Sequence, residues 1–435
     1  MAFFEFPGLS RTARRWLRLI LALASSLAAA IAIAYWRSDP RELATYFPAA
    51  RQMMQGAEIY CSGFTYPPFM ALLMVPFALL PFRLGMILWC WTYVGMLILS
   101  GRIVWTLVSP IVTRNRSGPR SWIYLLLLLL LVARYLLSPI GALSNDILIL
   151  AAATSIALSS VPGRERDIDA GVAAGLGAAI KATPLLFLAT FLWQKRWRTA
   201  VALAIAALAA CLLPDLIFPR LDGRLWVAVW LESNVLRLQI GAAANTQCGW
   251  TGWNMLNQSL AGSLERLLRP PTPGEAAPVS VLLWQAPDAL RRLFILAAQL
   301  SVFALLLWGL WPDRARREHP LDERCFRSLG ETGAVATAML LLSPMSSKWH
   351  FCLLLLPMAF CLADFLYRRR DPVVGLLLGF ALLAGSSTGK DIVGAYANDI
   401  ANAVGIVTWV ALAILVATVR ILRRRAAPAK EPQPA

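Results

Sequence analysis

Trp122-Ile-Tyr-Leu-Leu-Leu-Leu-Leu-Leu-Leu-Val-Ala-Arg-Tyr-Leu-Leu-Ser138 holds seven consecutive leucines, Leu125 to Leu131. A half-buried strand, or a strand of a transmembrane barrel, would alternate apolar and polar residues; this run does not, and reads as a helix surrounded by lipid. Runs of the same kind recur along the chain. Of its 435 residues 58% are hydrophobic and only 15% charged, with a mean hydropathy of +0.62. Soluble domains carry about 45–50% apolar and about 25% charged residues. The roughly 250 apolar residues suffice for about a dozen spans of roughly 20 residues each. The expectation is an all-α polytopic membrane protein of about 12 transmembrane helices (10–13), with both termini cytoplasmic.

Arg11, Arg14, Arg15 and Arg18 stand at the start of an apolar run from about Leu17 to Trp36, with no small-residue cleavage site after it. This reads as an uncleaved first span that starts in the cytoplasm. The polar segment 37–65 then lies outside. Further apolar stretches fall at about 66–81, 84–110, 121–138, 142–161, 170–194 and 198–218, then near 292–311, 331–345, 351–367, 372–388 and 402–422. Residues 1–422 form one transmembrane domain on this reading, and 423–435 a disordered cytoplasmic tail.

Charge tests the topology. The net charge of +17 (41 Lys and Arg, 24 Asp and Glu) sits largely in short clusters beside apolar runs. That is the pattern of cytoplasmic helix ends, so no nucleic-acid partner is expected. Lys195/Arg196/Arg198, Arg314/Arg316/Arg317 and Arg368/Arg369/Arg370 fall inside on a twelve-span count. The same count gathers 37–65, 219–291 and 345–350 on the outer side, the side expected to hold the active site. It misplaces two basic loops, Arg114/Arg116/Arg120 and Arg164/Arg166. Making 66–81 re-entrant and breaking 170–194 into a hairpin at Pro184 brings both loops inside; sequence leaves the two versions open.

The chemistry-bearing residues concentrate in the outer segments. Asp39 and Glu42 stand beside a helix end, and Arg41–Gln55 can lie on the membrane surface as a short helix ended by Gly56. A carboxylate held there can take a proton from a hydroxyl. Lys181, inside an apolar run, costs about 2.5–3.5 kcal/mol to insert and needs a partner: an anionic phosphate, or an intramembrane acid such as Asp146. Lys348 and His350, one of two histidines, offer donors at a helix end where a departing phosphate could be stabilised, and Arg51 offers another. Asn257, Gln258 and Ser259 lie in the long outer segment near Trp250 and Trp253, a composition suited to sugar hydroxyls and rings. Cys61 and Cys248 both fall in outer segments and can pair in an oxidising compartment. The seven cysteines show no CxxC spacing, Asp167-Ile-Asp169 sits in a short basic loop, and Gly385-Ser-Ser-Thr-Gly389-Lys390-Asp391 falls one residue short of a phosphate-binding loop. No cofactor and no metal site is expected.

Taken in order, these marks resemble glycosyltransferase family 87, the polyprenyl-phosphate-sugar-dependent membrane enzymes. An acid precedes Tyr46, then come Ala49-Ala50-Arg51, Gly56, Tyr60 and Tyr66-Pro67-Pro68-Phe69. Lys181-Ala-Thr183-Pro184, Asn257-Gln258-Ser259-Leu-Ala-Gly262 and Ser343-Pro344-Met-Ser346 follow. The resemblance implies a GT-C fold and a plasma-membrane enzyme whose site faces the periplasm or exterior. It implies transfer of a hexose, typically mannose, from a polyprenyl-phosphate carrier to a lipid or glycan acceptor, with inversion and without a metal. It makes Glu42 or Asp39 the base, the family's usual spacing to Tyr46 favouring Glu42. Arg51, Lys348, His350 and Lys181 become donor-phosphate ligands, and Tyr46, Tyr60, Tyr66, Asn257, Gln258 and Ser346 substrate contacts. The chain departs from the family in carrying one histidine, with Lys348 beside it, after Ser346, and Gly141-Ala142 where Gly-Gln is usual. A transporter or flippase of lipid-linked sugars, or a non-catalytic partner in envelope-glycan assembly, would use similar residues without chemistry. Matching broken repeats would mark a transporter, and no repeat is found.

Overall fold

A computed structural model describes residues 11–36, 42–60, 63–114, 118–161, 166–243, 251–272, 275, 279–312 and 318–424; the side chains of 11–19 are not included. Among the described residues all regular structure is helical. Asp39, Cys61, Cys248 and Trp250 lie outside them.

Helix α1 (Arg11–Trp36) is followed by the short α2 (Leu43–Met54), which ends at Gln55 and Gly56, the glycine at φ +65°. The expected surface helix therefore has nearly the bounds read from sequence. Then come α3 (Pro68–Ala78), α4 (Phe82–Arg114), α5 (Ser121–Ala142) and α6 (Asp146–Ser159). The apolar stretch 170–194 is two helices, α7 (Asp167–Ile180) and α8 (Leu186–Trp193), broken where Lys181 turns extended (φ −154°, ψ 126°) just before Pro184. Pro184 has no N–H to donate to the Ile180 carbonyl four residues back, and its ring would clash with that carbonyl in an α-helix, so α7 stops at Ile180. Helix α9 (Trp197–Ile217), the five-residue α10 (Trp226–Trp230) and α11 (Leu260–Leu268) lead into α12 (Asp288–Gly309) and α13 (Leu321–Leu342). The chain closes with α14 (Leu355–Tyr367), α15 (Pro372–Phe380), α16 (Lys390–Val404) and α17 (Ile406–Arg423). Among the described residues six helical segments are long and apolar enough to cross a membrane, or seven if the stretches 372–386 and 390–404, bent by 94° at their junction, count as one.

The ends of the helices sort into two groups. At one end, Arg114 pairs with Asp322 at 3.0 Å, Arg196 with Asp167 at 3.0 Å and Arg368 with Glu323 at 2.7 Å, while Arg424 pairs with Asp364 at 2.6 Å. Arg114 and Asp167, beside the two basic loops that the simple twelve-span count puts outside, therefore stand at the same end as Arg196 and Arg368. At the other end, Leu221 N–H donates to Gly56 O and the Trp230 indole to Thr65 O, both at 3.0 Å. There too Ser346 N–H donates to the Asn257 Oδ1 at 3.0 Å. The described residues of segment 219–291 thus touch those of both 37–65 and 345–350. Helix α13, buried on nearly every face from Phe326 to Leu341, forms the centre, with α14 and α17 against it; α5 and α12 turn leucines outward.

Candidate active site

Glu42 is fixed where α2 begins. Its backbone N–H donates to Ala142 O (3.4 Å), and its carbonyl accepts from Thr45 and Tyr46 N–H. The Tyr66 hydroxyl donates to its carboxylate at 3.1 Å, and the Tyr46 hydroxyl donates to Tyr66 at 3.3 Å. Asn145 N–H donates in turn to the Tyr46 oxygen at 3.3 Å. The result is a directed relay, amide to phenol to phenol to carboxylate. Burial pushes the Glu42 carboxyl above the usual carboxylate range, opposed in part by the two tyrosine hydrogen bonds.

Asp146 opens α6 one residue beyond the relay. The Lys181 ammonium lies 2.7 Å from its Oδ1, and His350 Nε2 lies 3.6 Å from its Oδ2. The break between α7 and α8 is what lets Lys181 reach inward. Ser347 N–H donates to His350 Nδ1 at 3.2 Å, so a neutral His350 carries its proton on Nε2, facing the Ser347 hydroxyl (3.1 Å) and Asp146. The Lys181 ammonium stands 5.9 Å from the Tyr66 ring centre, tying the two carboxylate groups together.

Backbone strain marks the same corner. Leu143, buried between α5 and α6, adopts φ +53°, ψ +40°, a conformation costing a non-glycine residue about 1–2 kcal/mol. The Trp89 indole donates to its carbonyl at 3.0 Å and helps hold it there. Next to it the Ser144 hydroxyl, both ends of the Asn145 amide and Asp146 Oδ2 are buried without a hydrogen-bond partner among the described residues, as is the Tyr93 hydroxyl. Buried polar atoms left open in this way are suited to a polar ligand.

Five residues singled out from sequence therefore meet: Glu42, Tyr46, Tyr66, Lys181 and His350. The others are elsewhere. Arg51 is exposed and donates to Ala78 O at 3.1 Å. Tyr60 is buried near Glu58 and Arg220, its hydroxyl without a partner among the described residues. Asn257, Gln258 and Ser346 form a brace: Asn257 donates to Pro344 O (3.2 Å), Gln258 to Asn402 O (2.8 Å) and the Ser346 hydroxyl to Leu340 O (2.9 Å). Lys348 lines a separate cavity. Asp146, weighed in sequence only as a partner for Lys181, stands at the centre of the cluster, and Asn145 was not singled out. An acid inside the apolar run 142–161 was the signal available. Among the described residues no three of His, Cys, Asp and Glu gather as a metal-binding group.

The model of glycosyltransferase family 87 matches residues 64–344. The chain is also 25% identical, over 345 residues, to a polyprenol-phosphate-mannose-dependent alpha-(1-2)-phosphatidylinositol mannoside mannosyltransferase of Mycolicibacterium smegmatis, covering 76% of this chain and 71% of that protein. No solved structure matches it. A match across well over half of the residues, on a helical scaffold rich in membrane-length segments, means that the chain belongs to glycosyltransferase family 87 and is a multi-pass membrane glycosyltransferase.

Proposed function

We propose that the enzyme moves a hexose, mannose, from a polyprenyl-phosphate carrier to a lipid or glycan acceptor at the outer face of the membrane, with inversion and without a metal. The observation that carries this reading is the Glu42 carboxylate at the end of the tyrosine relay, beside the Asp146–Lys181–His350 group. Glu42 accepts the proton of the acceptor hydroxyl as its oxygen attacks the anomeric carbon. The bond from that carbon to the carrier phosphate breaks, and the phosphate leaves with the electron pair. Asp39 remains the alternative base. His350 faces the leaving phosphate, Lys181 holds Asp146 in place, and the open polar atoms of Ser144 and Asn145 receive sugar hydroxyls. Confinement of the donor to the bilayer supplies orientation, a large part of such a barrier.

In this reading the chain crosses the membrane twelve times, with α3 re-entrant and α7 and α8 as two passes; the sorting of helix ends supports it. Helices α6 and α7 have 14 residues each, about 21 Å, against a hydrocarbon core of about 30 Å. The site they reach is thus set into the membrane, where a lipid-borne sugar phosphate can enter sideways. The deciding experiment is purified protein in proteoliposomes with radiolabelled polyprenyl-phosphate-mannose. Label in a covalent product is the expected result. Label moved across the bilayer unchanged, or no reaction with any acceptor lipid, would overturn the proposal.

A further inference from the structure

A cavity of about 170 Å³ opens where α5, the turn at Lys348 and the bend between α15 and α16 come together. Arg134, Lys348 and Lys390 line it, with Tyr135 and Asn398. Among the described residues none of the three cations forms an ion pair. Asp399 on α16 is near enough for its charge to act on Lys348, which still leaves the cavity net positive. Arg134 donates to Gly385 O and the Thr388 hydroxyl and, at 3.2 Å, to Thr388 O, so it both pins the bend and presents its charge. The Tyr135 hydroxyl, on a side chain only 1% exposed, has no hydrogen-bond partner among the described residues.

Arg134 and Lys348, both partly buried, together with the exposed Lys390 outnumber the single nearby carboxylate of Asp399, and an excess of partly buried cations is costly unless an anion joins them. Arg134 lies eight residues before Ala142, about 12 Å along α5 and in the half of the helix nearer that end. Leu130, Leu137 and Leu383 are 47%, 59% and 70% exposed around it, an apolar flank for hydrocarbon tails. The cavity is smaller than the roughly 300–1,000 Å³ that whole small ligands occupy, and suits a single phosphate group. We infer that this cavity anchors the phosphate of a lipid whose tails lie against Leu130, Leu137 and Leu383. The inference deepens the proposed function by separating the phosphate anchor from the sugar-handling cluster, and rests on that reading only for which lipid it is.

The test uses the full chain in nanodiscs of neutral phosphatidylcholine, titrated with a polyprenyl phosphate, the uncharged polyprenol, phosphatidylinositol and inorganic phosphate, read by native mass spectrometry. One phosphate lipid is expected to bind at least about tenfold more tightly than the polyprenol, and to lose about tenfold in Arg134→Gln/Lys390→Gln. Preference for polyprenyl phosphate identifies the donor and preference for phosphatidylinositol an acceptor; either supports the inference. Because Arg134 also holds the bend, Lys390→Gln alone and Lys348→Gln repeat the measurement without touching that contact. Equal binding of the polyprenol, inorganic phosphate binding as tightly as either lipid, or unchanged affinity in all variants overturns it. Glu42→Gln should retain this affinity while losing transfer, so phosphate anchoring and catalysis fail in separate assays.

Discussion

Lys181 lies 2.7 Å from Asp146 in a buried ion pair that joins the break after α7 to the first residue of α6. Removing one partner strands the other charge, at a cost of about 3–5 kcal/mol, whereas removing both leaves no uncompensated ion. Lys181→Met and Asp146→Asn should each lower the thermal unfolding temperature in detergent, and the double variant should recover most of the loss. Additive losses in the double variant would mean that the pair does not hold this corner together.

Glu42→Gln keeps the shape of the side chain, and its amide oxygen can still accept from Tyr66. Only the capacity to take a proton goes. A general base contributes typically 10²–10⁴-fold, so transfer in proteoliposomes should fall by about that factor while the unfolding temperature stays within about 2 °C of wild type. Asp39→Asn is the matched comparison. If Glu42→Gln is active and Asp39→Asn is not, the base is Asp39.

The pH profile carries an independent sign. Burial makes Glu42 hold its proton more tightly than an exposed carboxyl, and the base works only when ionised. Transfer should therefore rise with pH through an acidic limb displaced above the usual carboxylate range. Tyr66→Phe deletes a hydrogen bond that favours the anion, so its limb should move to still higher pH. The measurement is kcat/KM against pH for both proteins. A limb that moves down in Tyr66→Phe would remove Glu42 from the role.

Local pattern made much of the scaffold legible. Apolar runs located the long helices, and Gly56 and the Arg41–Gln55 stretch gave α2 almost to the residue. Helix α16 was missed because Asn398, Asp399 and Asn402 interrupt its apolar residues, so it carries no continuous apolar run. The site was half legible. Glu42 and His350 stood out near helix ends, Lys181 as a cation inside an apolar run, and Tyr46 and Tyr66 through the family resemblance. Asn145 did not, because it enters the relay through a backbone N–H that any residue would supply. Arg134 belongs to no motif and Lys390 to a stretch that falls short of a phosphate-binding loop, since the cavity they share exists only once the bend at 387–389 sets the start of α16 beside α5.

The placement of Lys181 depends in turn on how closely α7 can approach α9. Gly171-Val-Ala-Ala-Gly175 puts two glycines on one face of α7, the spacing that lets membrane helices pack backbone to backbone. A Cβ at Gly171 would meet Thr199 O at 2.5 Å and Ala202 Cβ at 2.6 Å; one at Gly175 would meet Leu203 O at 2.5 Å and Ala206 Cβ at 2.7 Å. Neither backbone can give way without the helices parting. Gly175→Val should therefore cost about 1–3 kcal/mol, read as a lower unfolding temperature. It should also lower transfer beyond what instability explains, because α7 ends at Ile180 and swings Lys181 away from Asp146 as it moves. Gly379→Ala, where a Cβ meets nothing within 4 Å, is the control and should change neither. Equal tolerance at both positions would show that close packing of α7 on α9 does not set the site.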